Sequence, residues 1–451
     1  MASGAAWLAQ RVGWGVVGRE YLLAGHLIDR AGMPGVIGDY GKEVMTDVAI
    51  EEWRGASPVY TLRTRRLLGI TTDDVEAIFK TMQFDIGAPH GFLDFRFEVL
   101  EPDHGEFSLA HCGALVDVEP MGVEFVEAMC HTIEDPTFDA TAAATNPRAR
   151  VRPIHRPPRA PADRVPHCRW SVRIDAAAAA LPFPAEAIRI GQSVAGRWPI
   201  PVVRPGAASD GWTDYAAALD PQLALEVFAP VVVEALCEEW SLQGHLLGIA
   251  FAAALARRGL DVDKHLAAQL VGAAGVAARR MARLVPEPHD LTALTALLAA
   301  HPLFGVPGYL DLVIDTSGVA AGHVGIGVAG AALAESARGW GTALRDPALV
   351  ERVVRALVRE YDPAVHVVAD SAGRTTCRLV AGRADEPDGA ELAVAGHDEA
   401  VELASFSSGV EFVLPLPAVR SRAASLPGSA ALPSNAALPS DAALPSNMEE
   451  M

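Results

Sequence analysis

Apolar positions at helical spacing open the chain and then give way to a period of two. Residues 19–30 (REYLLAGHLIDR) carry the helical pattern, and the polar cluster of residues 71–74 is typical of an N-cap before a helix over 75–82. Over residues 92–99, apolar and charged side chains alternate. That alternation predicts a half-buried strand after the helices.

The region after this strand predicts a hairpin followed by a helix. Residues 101–105 (EPDHG) have turn chemistry, and a second strand is expected over 106–115. Residues 119–135 again have helical spacing, and Pro136 is expected to end that helix.

Four short segments of the first half recur in the second half in the same order. They are REYLLAGHLI at 19–28 with EEWSLQGHLL at 238–247, GFLD at 91–94 with GYLD at 308–311, the stretch from Glu119-Pro120 to Asp135-Pro136 with Asp346-Pro347 to Asp362-Pro363, and Cys168-Arg169 with Cys377-Arg378. A shared order of this kind is typical of an internal duplication.

The expected fold is therefore α+β with two tandem homologous units. Each unit has N-terminal helices and a small antiparallel sheet with a crossover helix. We place the first unit at residues 19–175 and a second, degenerate one at 223–415, joined by a Pro/Ala/Gly-rich linker at 176–222. Residues 416–451 repeat Leu-Pro among Ala, Ser and Asn, a composition that predicts a disordered tail.

Charge and cysteine content exclude some classes of protein. The net charge of −19 disfavours binding to nucleic acid or to an anionic membrane, because both need a basic face. Five cysteines in 451 residues are too few for a secreted disulfide scaffold and favour a reducing cytoplasm. The first 18 residues do not have the pattern of a signal peptide, and no apolar run is long enough to cross a bilayer.

Residues that carry chemistry are concentrated between His111 and Arg173. Three of the five cysteines, Cys112, Cys130 and Cys168, lie there, and eight arginines occupy residues 148–173. In the second copy Cys130 is replaced by Leu357, and the interval before its last cysteine is 18 residues shorter. Features confined to one copy are candidates for function, so the first copy is expected to hold the site. By the same reasoning His26, matched by His245, is expected to be structural.

Each of these cysteines also has a purely structural interpretation. Cys130 lies on an apolar helical stripe, where a free cysteine behaves as a small hydrophobic side chain. Cys112 is expected to share a strand face with Ser108 and Ala110, and Cys168 alternates with apolar residues that include Trp170. The arginine run is equally consistent with a solvated loop.

The order of these residues resembles the L-2-amino-thiazoline-4-carboxylate hydrolase-like family. The matching stretches are HCGA at 111–114, MCHTIED at 129–135 and HCRW at 167–170. Two positions depart from the family pattern, since Ile133 stands where an acid is expected and Arg169 follows Cys168. The resemblance implies hydrolytic opening of a cyclic C–N or C=N bond in a small molecule that bears a carboxylate.

The residues allow two versions of such a hydrolase. In the first, Cys112, Cys130 and Cys168 hold Zn²⁺ or another divalent metal with one open position for water. In the second, which needs no metal, one cysteine is the nucleophile, with His131 or His111 as base.

Further side chains are assigned to the same hydrolytic site. Glu134 is four residues after Cys130 and is the candidate general base, with Asp135 beside it. The candidate clamp for a substrate carboxylate is Arg150, Arg152 or Arg156.

A different class of function also fits the sequence. A duplicated α+β unit with a single working pocket is suited to binding a small ligand, or to sensing a metal or a redox signal, without catalysis.

Overall fold

The computed structural model describes residues 4–203, 210–285, 291–318, 323–361, 365–369, 376–381, 400–404 and 411–415. The helices are α1 (Gly4–Val12), α2 (Trp14–Leu22), α3 (Ala24–Tyr40), α4 (Lys42–Leu67), α5 (Val75–Met82), α6 (Gly113–Val118), α7 (Val123–Glu127), α8 (Glu134–Thr145), α9 (Ala185–Gly191), α10 (Pro230–Arg257), α11 (Val262–Leu284), α12 (Leu291–Ala299), α13 (Trp340–Ala343) and α14 (Pro347–Tyr361). The predicted tail lies outside the described residues.

Two antiparallel four-stranded sheets have the same strand order. The first contains β1 (Leu93–Glu101), β2 (His104–Cys112), β3 (Ala149–His155) and β4 (Cys168–Ile174) in the order β1-β2-β4-β3. The second contains β5 (Asp311–Asp315), β6 (His323–Ala329), β7 (Val365–Ala369) and β8 (Thr376–Ala381) in the order β5-β6-β8-β7. A two-stranded sheet pairs β9 (Ala400–Ala404) with β10 (Glu411–Pro415). The α+β class predicted from the sequence is confirmed.

The predicted N-terminal boundary of α5 is confirmed at atomic detail. The Asp74 carboxylate accepts a hydrogen bond of 2.8 Å from the backbone N–H of Ala77. This contact satisfies one of the amide groups that have no partner within the first turn of a helix. The cap fixes where α5 begins, directly ahead of the hairpin β1–β2.

The face assigned to Cys112 from the sequence is wrong because β2 contains a bulge. Leu93 pairs with Cys112, but Phe95 pairs with Leu109, so β2 has one extra residue between these two rungs. An extra residue shifts the following side chains to the other face of the sheet. Cys112 is therefore buried on the same face as Leu109, rather than beside Ser108 and Ala110.

The predicted helix over residues 119–135 does not end at Pro136. The stretch consists of a 3-10 turn (Glu119–Met121), α7, a π-helical segment (Ala128–Ile133) and α8, which continues to Thr145. Pro136 is the third residue of α8, which continues directly from the π-helical segment, so the helix runs through this proline instead of ending at it.

The described residues of the linker expected at 176–222, namely 176–203 and 210–222, include a helix and buried side chains. It contains α9, and Ala187, Ile190, Ala195 and Tyr215 are buried in the main apolar cluster. Within this Ala- and Pro-rich stretch, α9 packs against α4, which the composition alone did not indicate.

The helices of the two halves exchange matching contacts. Arg63 on α4 donates to Glu239 on α10 at 2.6 and 2.9 Å, and Arg280 on α11 donates to Glu20 on α2 at the same two distances. All four side chains are buried. Glu20 and Glu239 occupy equivalent positions in the aligned segments, so each half supplies the glutamate for the other half's arginine.

A second pair of contacts follows the same rule. The Tyr21 hydroxyl donates to the carbonyl of Ala300 at 2.6 Å, and the Trp240 indole donates to the carbonyl of Phe84 at 2.8 Å. One apolar cluster runs through helices of both halves, while a separate cluster fills the space beneath the first sheet. In the described part of the chain, no helix has the length and apolar character needed to span a membrane.

Candidate functional site

A cavity of about 290 Å³ lies between the first sheet and the helices α3 and α4. Most of its wall is apolar, including the side chains of Met33, Trp53, Phe95 and Phe138. Its polar lining residues are His26, Asp29, Arg30, Asp85, Cys112, Asp117, Glu134, Thr137 and Thr141. A largely apolar pocket with a few convergent polar groups is the usual form of a small-molecule site.

Two aspartates sit in the wall built by α3 and the loop after α5. Asp85 accepts hydrogen bonds at Oδ1 from the Tyr60 hydroxyl at 2.6 Å and from the Gly87 N–H at 2.7 Å. Burial raises the pKa of Asp85 to about 6, although both hydrogen bonds lower it. Asp29 accepts a hydrogen bond of 2.9 Å from the Trp53 indole, and burial raises its pKa to about 7. Both carboxyl groups therefore titrate close to neutral pH.

Glu134 lies in the part of the wall formed by the helical crossover. It follows directly after the π-helical segment, in which hydrogen bonds span one residue more than in an α-helix. Burial raises the pKa of Glu134 to about 8, and the nearby positive charge of Arg156 opposes that rise. Glu134 is partly buried and lines the cavity. At neutral pH this carboxyl group is mostly protonated.

The three cysteines lie in the same apolar cluster beneath the first sheet. Cys168 pairs with Leu109 in the neighbouring strand, Cys112 ends β2 on the same face, and Cys130 lies on the π-helical segment. All three are free and buried. The Cys112 sulfur also accepts a 3.3 Å hydrogen bond from the Leu115 N–H at the start of α6.

The cysteine thiols are poorly suited to forming thiolates. Burial raises the pKa of Cys112 to about 12, and the Glu134 carboxylate adds to the rise. Burial, again followed by Glu134, raises the pKa of Cys130 and of Cys168 well above the ordinary value. Only thiolates attack carbon or bind metal strongly, so buried thiols with a raised pKa are typical of structural cysteines.

Two predicted catalytic residues are engaged outside the cavity. His131 makes a 2.6 Å hydrogen bond through Nε2 with the carbonyl oxygen of Pro157, and Asp135 pairs with Arg156. Neither His131 nor Asp135 lines the cavity, and nor does Cys130. Of the four catalytic residues predicted from the sequence, the cavity wall contains Glu134.

The three predicted carboxylate-binding arginines are likewise held in contacts of their own. Arg150 donates to backbone carbonyls, among them that of Ala179, and Arg152 donates to both oxygens of Asp139 at 2.9 Å. Arg156 pairs with Asp135 and also lies 5.7 Å from the centre of the Trp170 ring. None of these arginines lines the cavity.

Arg30 is the arginine that the cavity does contain, and the sequence reasoning missed it. Its side chain extends from α3, lies over the Phe92 ring at 4.7 Å and forms an ion pair with Asp117 on α6. Both charged side chains are largely buried. A signal for it lies two residues beyond the aligned segment 19–28, because continuing the same register matches Asp29 and Arg30 with Gly248 and Ile249.

A tryptophan packs against Gly248, the residue that aligns with Asp29. Trp340 is buried, and a Cβ added at Gly248 would approach its indole to 3.0 Å. The indole N–H donates to Gln269 at 3.0 Å, which fixes the ring in place. The sequence position of Asp29 is thus occupied in the second half by a glycine that packs against Trp340.

His26 and His245 make matching contacts, as expected for structural residues. Their Nε2 atoms lie 3.1 Å and 3.0 Å from the carbonyl oxygens of Gly87 and Leu303. The His26 ring lies 4.9 Å from the ring of Phe92, and the His245 ring lies 4.9 Å from the ring of Tyr309; Phe92 and Tyr309 directly follow the aligned glycines. Burial lowers the pKa of both histidines to about 4, so both rings are neutral at pH 7.

The metal centre predicted from the sequence finds no support in the geometry of the described residues. Among them, no group of three or more His, Cys, Asp or Glu side chains is arranged to hold a metal ion. The donor set of Cys112, Cys130 and Cys168 thus lacks geometric support, and a Zn²⁺ requirement stays a prediction for metal analysis of the purified protein.

Comparison with known proteins adds no relatives. No protein-family model, no curated protein and no solved structure matches this chain.

Proposed function

We propose that the chain consists of two homologous units, with a working site in the first and a degenerate second unit. The identical strand order of the two sheets supports this, as do the exchanged ion pairs Arg63–Glu239 and Arg280–Glu20. In this view the second unit stabilises the first, and Trp340 occupies its former pocket.

The first unit is proposed to be a small-molecule hydrolase that opens a cyclic C–N or C=N bond. The observation that carries this proposal is that Asp85 and Glu134 line the same cavity and have pKa values of about 6 and about 8. Carboxyl groups whose pKa values differ in this way have the properties of a general base and a general acid at neutral pH.

The reaction needs water and these two groups. Ionised Asp85 takes a proton from a water molecule while the water oxygen forms a bond to the ring carbon next to nitrogen. Protonated Glu134 gives its proton to the ring nitrogen, which leaves a tetrahedral carbon with a hydroxyl group and a C–N single bond. Ionised Glu134 then takes the hydroxyl proton as the C=O bond forms, and the proton held by Asp85 passes through solvent to the ring nitrogen as the C–N bond breaks. Both protons of the water end on the nitrogen, Asp85 and Glu134 return to their starting states, and no oxidant or other co-reactant is required.

The cysteines have a structural role in this proposal. Their raised pKa values argue against a thiolate nucleophile, and Cys130 and Cys168 fill the core behind the cavity. Free buried thiols also fit the cytoplasm, where cysteines stay reduced.

The test is ring opening of 2-amino-thiazoline-4-carboxylate by the purified full chain, followed by NMR. We expect turnover by the wild type and loss of at least about a hundredfold in kcat for E134Q and D85N, since general acid–base catalysis typically contributes that much. The matched control C237S alters a buried thiol on α10 and is expected to retain activity. Binding without turnover would instead favour a ligand-binding protein, the alternative function.

A further inference from the structure

The cavity contains several acids and one strong cation. Asp29, Asp85 and Glu134 line it together with the Arg30–Asp117 pair, and among the described residues of its wall Arg30 is the one arginine or lysine. A guanidinium group has a planar arrangement of donors that matches a carboxylate, and it stays charged when it is buried. Any anion that enters this cavity therefore meets Arg30 as its main source of positive charge.

Asp117 holds Arg30 in the way that a ligand carboxylate would. The ion pair joins α3 to α6, and α6 begins a stretch that contributes Ala114, Val118 and Met121 to the cavity wall. A buried guanidinium without a carboxylate is costly, so Asp117 satisfies Arg30 while no ligand is present. A carboxylate of a ligand has the same chemistry and can take its place.

The second half offers an internal comparison. The position of Arg30 corresponds there to Ile249, which is buried in the apolar cluster, and the adjacent position is Gly248. In the second half an isoleucine thus stands where the first half has the arginine, and the glycine beside it packs against Trp340. A structural arginine that served only the fold of the unit would be expected in both halves, as His26 and His245 are.

We propose that Arg30 determines specificity by binding the carboxylate of the small-molecule substrate, and that Asp117 is the internal competitor it releases. This inference rests on the proposed function in one respect, because it calls the ligand a substrate. Recognition of the carboxylate can be tested by binding alone. The acids Asp29 and Asp85 line the same cavity.

The experiment measures binding of thiazole-4-carboxylate and of thiazole-4-carboxamide by calorimetry. Neither aromatic ring is a substrate for hydrolysis, so turnover does not affect the result. Wild type is expected to prefer the carboxylate. R30Q should weaken carboxylate binding by about tenfold to a hundredfold and leave carboxamide binding nearly unchanged, because a charge-assisted contact is lost.

Asp117 supplies a control whose effect has the opposite sign. D117N removes the competitor and should tighten carboxylate binding, whereas a purely structural pair predicts that R30Q and D117N act alike. Because R30Q leaves Asp117 buried and unpaired, the double variant R30Q/D117N keeps the test valid if the single variant does not fold.

Three results would overturn the inference. One is an unchanged carboxylate preference in R30Q/D117N, another is weaker carboxylate binding in D117N, and the third is no binding of either probe to the wild type. If the carboxylate preference behaves as expected while the thiazoline is not hydrolysed, the binding site stands and the proposed catalysis fails.

Discussion

Arg63 and Glu239 form a two-point ion pair that is closed to solvent, with side chains 3% and 0% exposed. The pair joins α4 to α10, and the pair of Arg280 with Glu20 joins α11 to α2 in the reciprocal sense. A contact of this kind makes each half part of the other half's core, so the two units are expected to unfold together.

The first prediction follows from that burial. R63M leaves the Glu239 carboxylate buried without a partner and should lower the free energy of unfolding by about 3–5 kcal/mol in urea titrations. R280M should have a similar effect because its pair has the same geometry. R96M breaks an exposed pair with Asp94 and serves as control, with an expected loss below about 1 kcal/mol.

The reciprocal ion pairs also predict that the two halves unfold in a single cooperative transition. If R63M instead produced two separate unfolding transitions while R280M had no effect, the reciprocal arrangement of the two halves would be refuted.

The second prediction concerns Trp340, the buried tryptophan that packs against Gly248 in the second half. W340A removes a buried indole beside Gly248 and should cost about 3–5 kcal/mol of stability, because the cavity left behind collapses only partly. Added indole should bind in the vacated space and recover part of the lost thermal midpoint. Trp7, which is only partly buried, provides the control W7A, for which no recovery by indole is expected. If indole changed the thermal midpoints of W340A and W7A equally, the W340A variant would have no specific space for indole.

The third prediction is a pH dependence of stability caused by Glu134. Its pKa is about 8 in the folded protein and about 4.3 in an unfolded chain, so the folded state binds more protons between these values. Wild-type stability should therefore fall as pH rises from about 4.3 to about 8. E134Q lacks this titration, and its stability relative to wild type should increase with pH over that window and level off above it.

The control for this experiment is E127Q, which alters an exposed glutamate one to two turns earlier. Its stability should follow the wild-type curve at every pH. A stability difference between E134Q and wild type that does not change with pH would show that folding does not raise the pKa of Glu134, contrary to the role proposed for it.

The sequence predicted those parts of the fold that depend on local pattern. The helix cap at Asp74 and the strand starting near Leu93 follow from spacing, and the structure confirms both. The internal alignment pairs His26 with His245, and the two rings make matching hydrogen bonds, while a purely structural role for them stays a prediction. The bulge in β2 was missed because an extra residue between Leu109 and Cys112 leaves no mark in a short alternating pattern.

The cavity was harder to predict, since its polar residues are far apart along the chain. Asp29, Asp85 and Glu134 come from three separate elements, and each carboxyl group is unremarkable in its local sequence. Cys130 and the arginine run are conspicuous in the sequence because cysteines are few and arginines cluster there, yet neither lines the cavity. The substitution of Asp29 by Gly248 in the other copy was the available signal, and it lay just beyond the aligned segment.

The pH dependence of kcat/KM for ring opening of 2-amino-thiazoline-4-carboxylate tests the central claim most directly. With Asp85 as base and Glu134 as acid, the profile should be bell-shaped, falling below about pH 6 and above about pH 8, and residual activity in E134Q should lack the fall at high pH. Activity that rises steadily through pH 8 to pH 9 and is abolished in C112A would assign the chemistry to a thiolate and contradict the account.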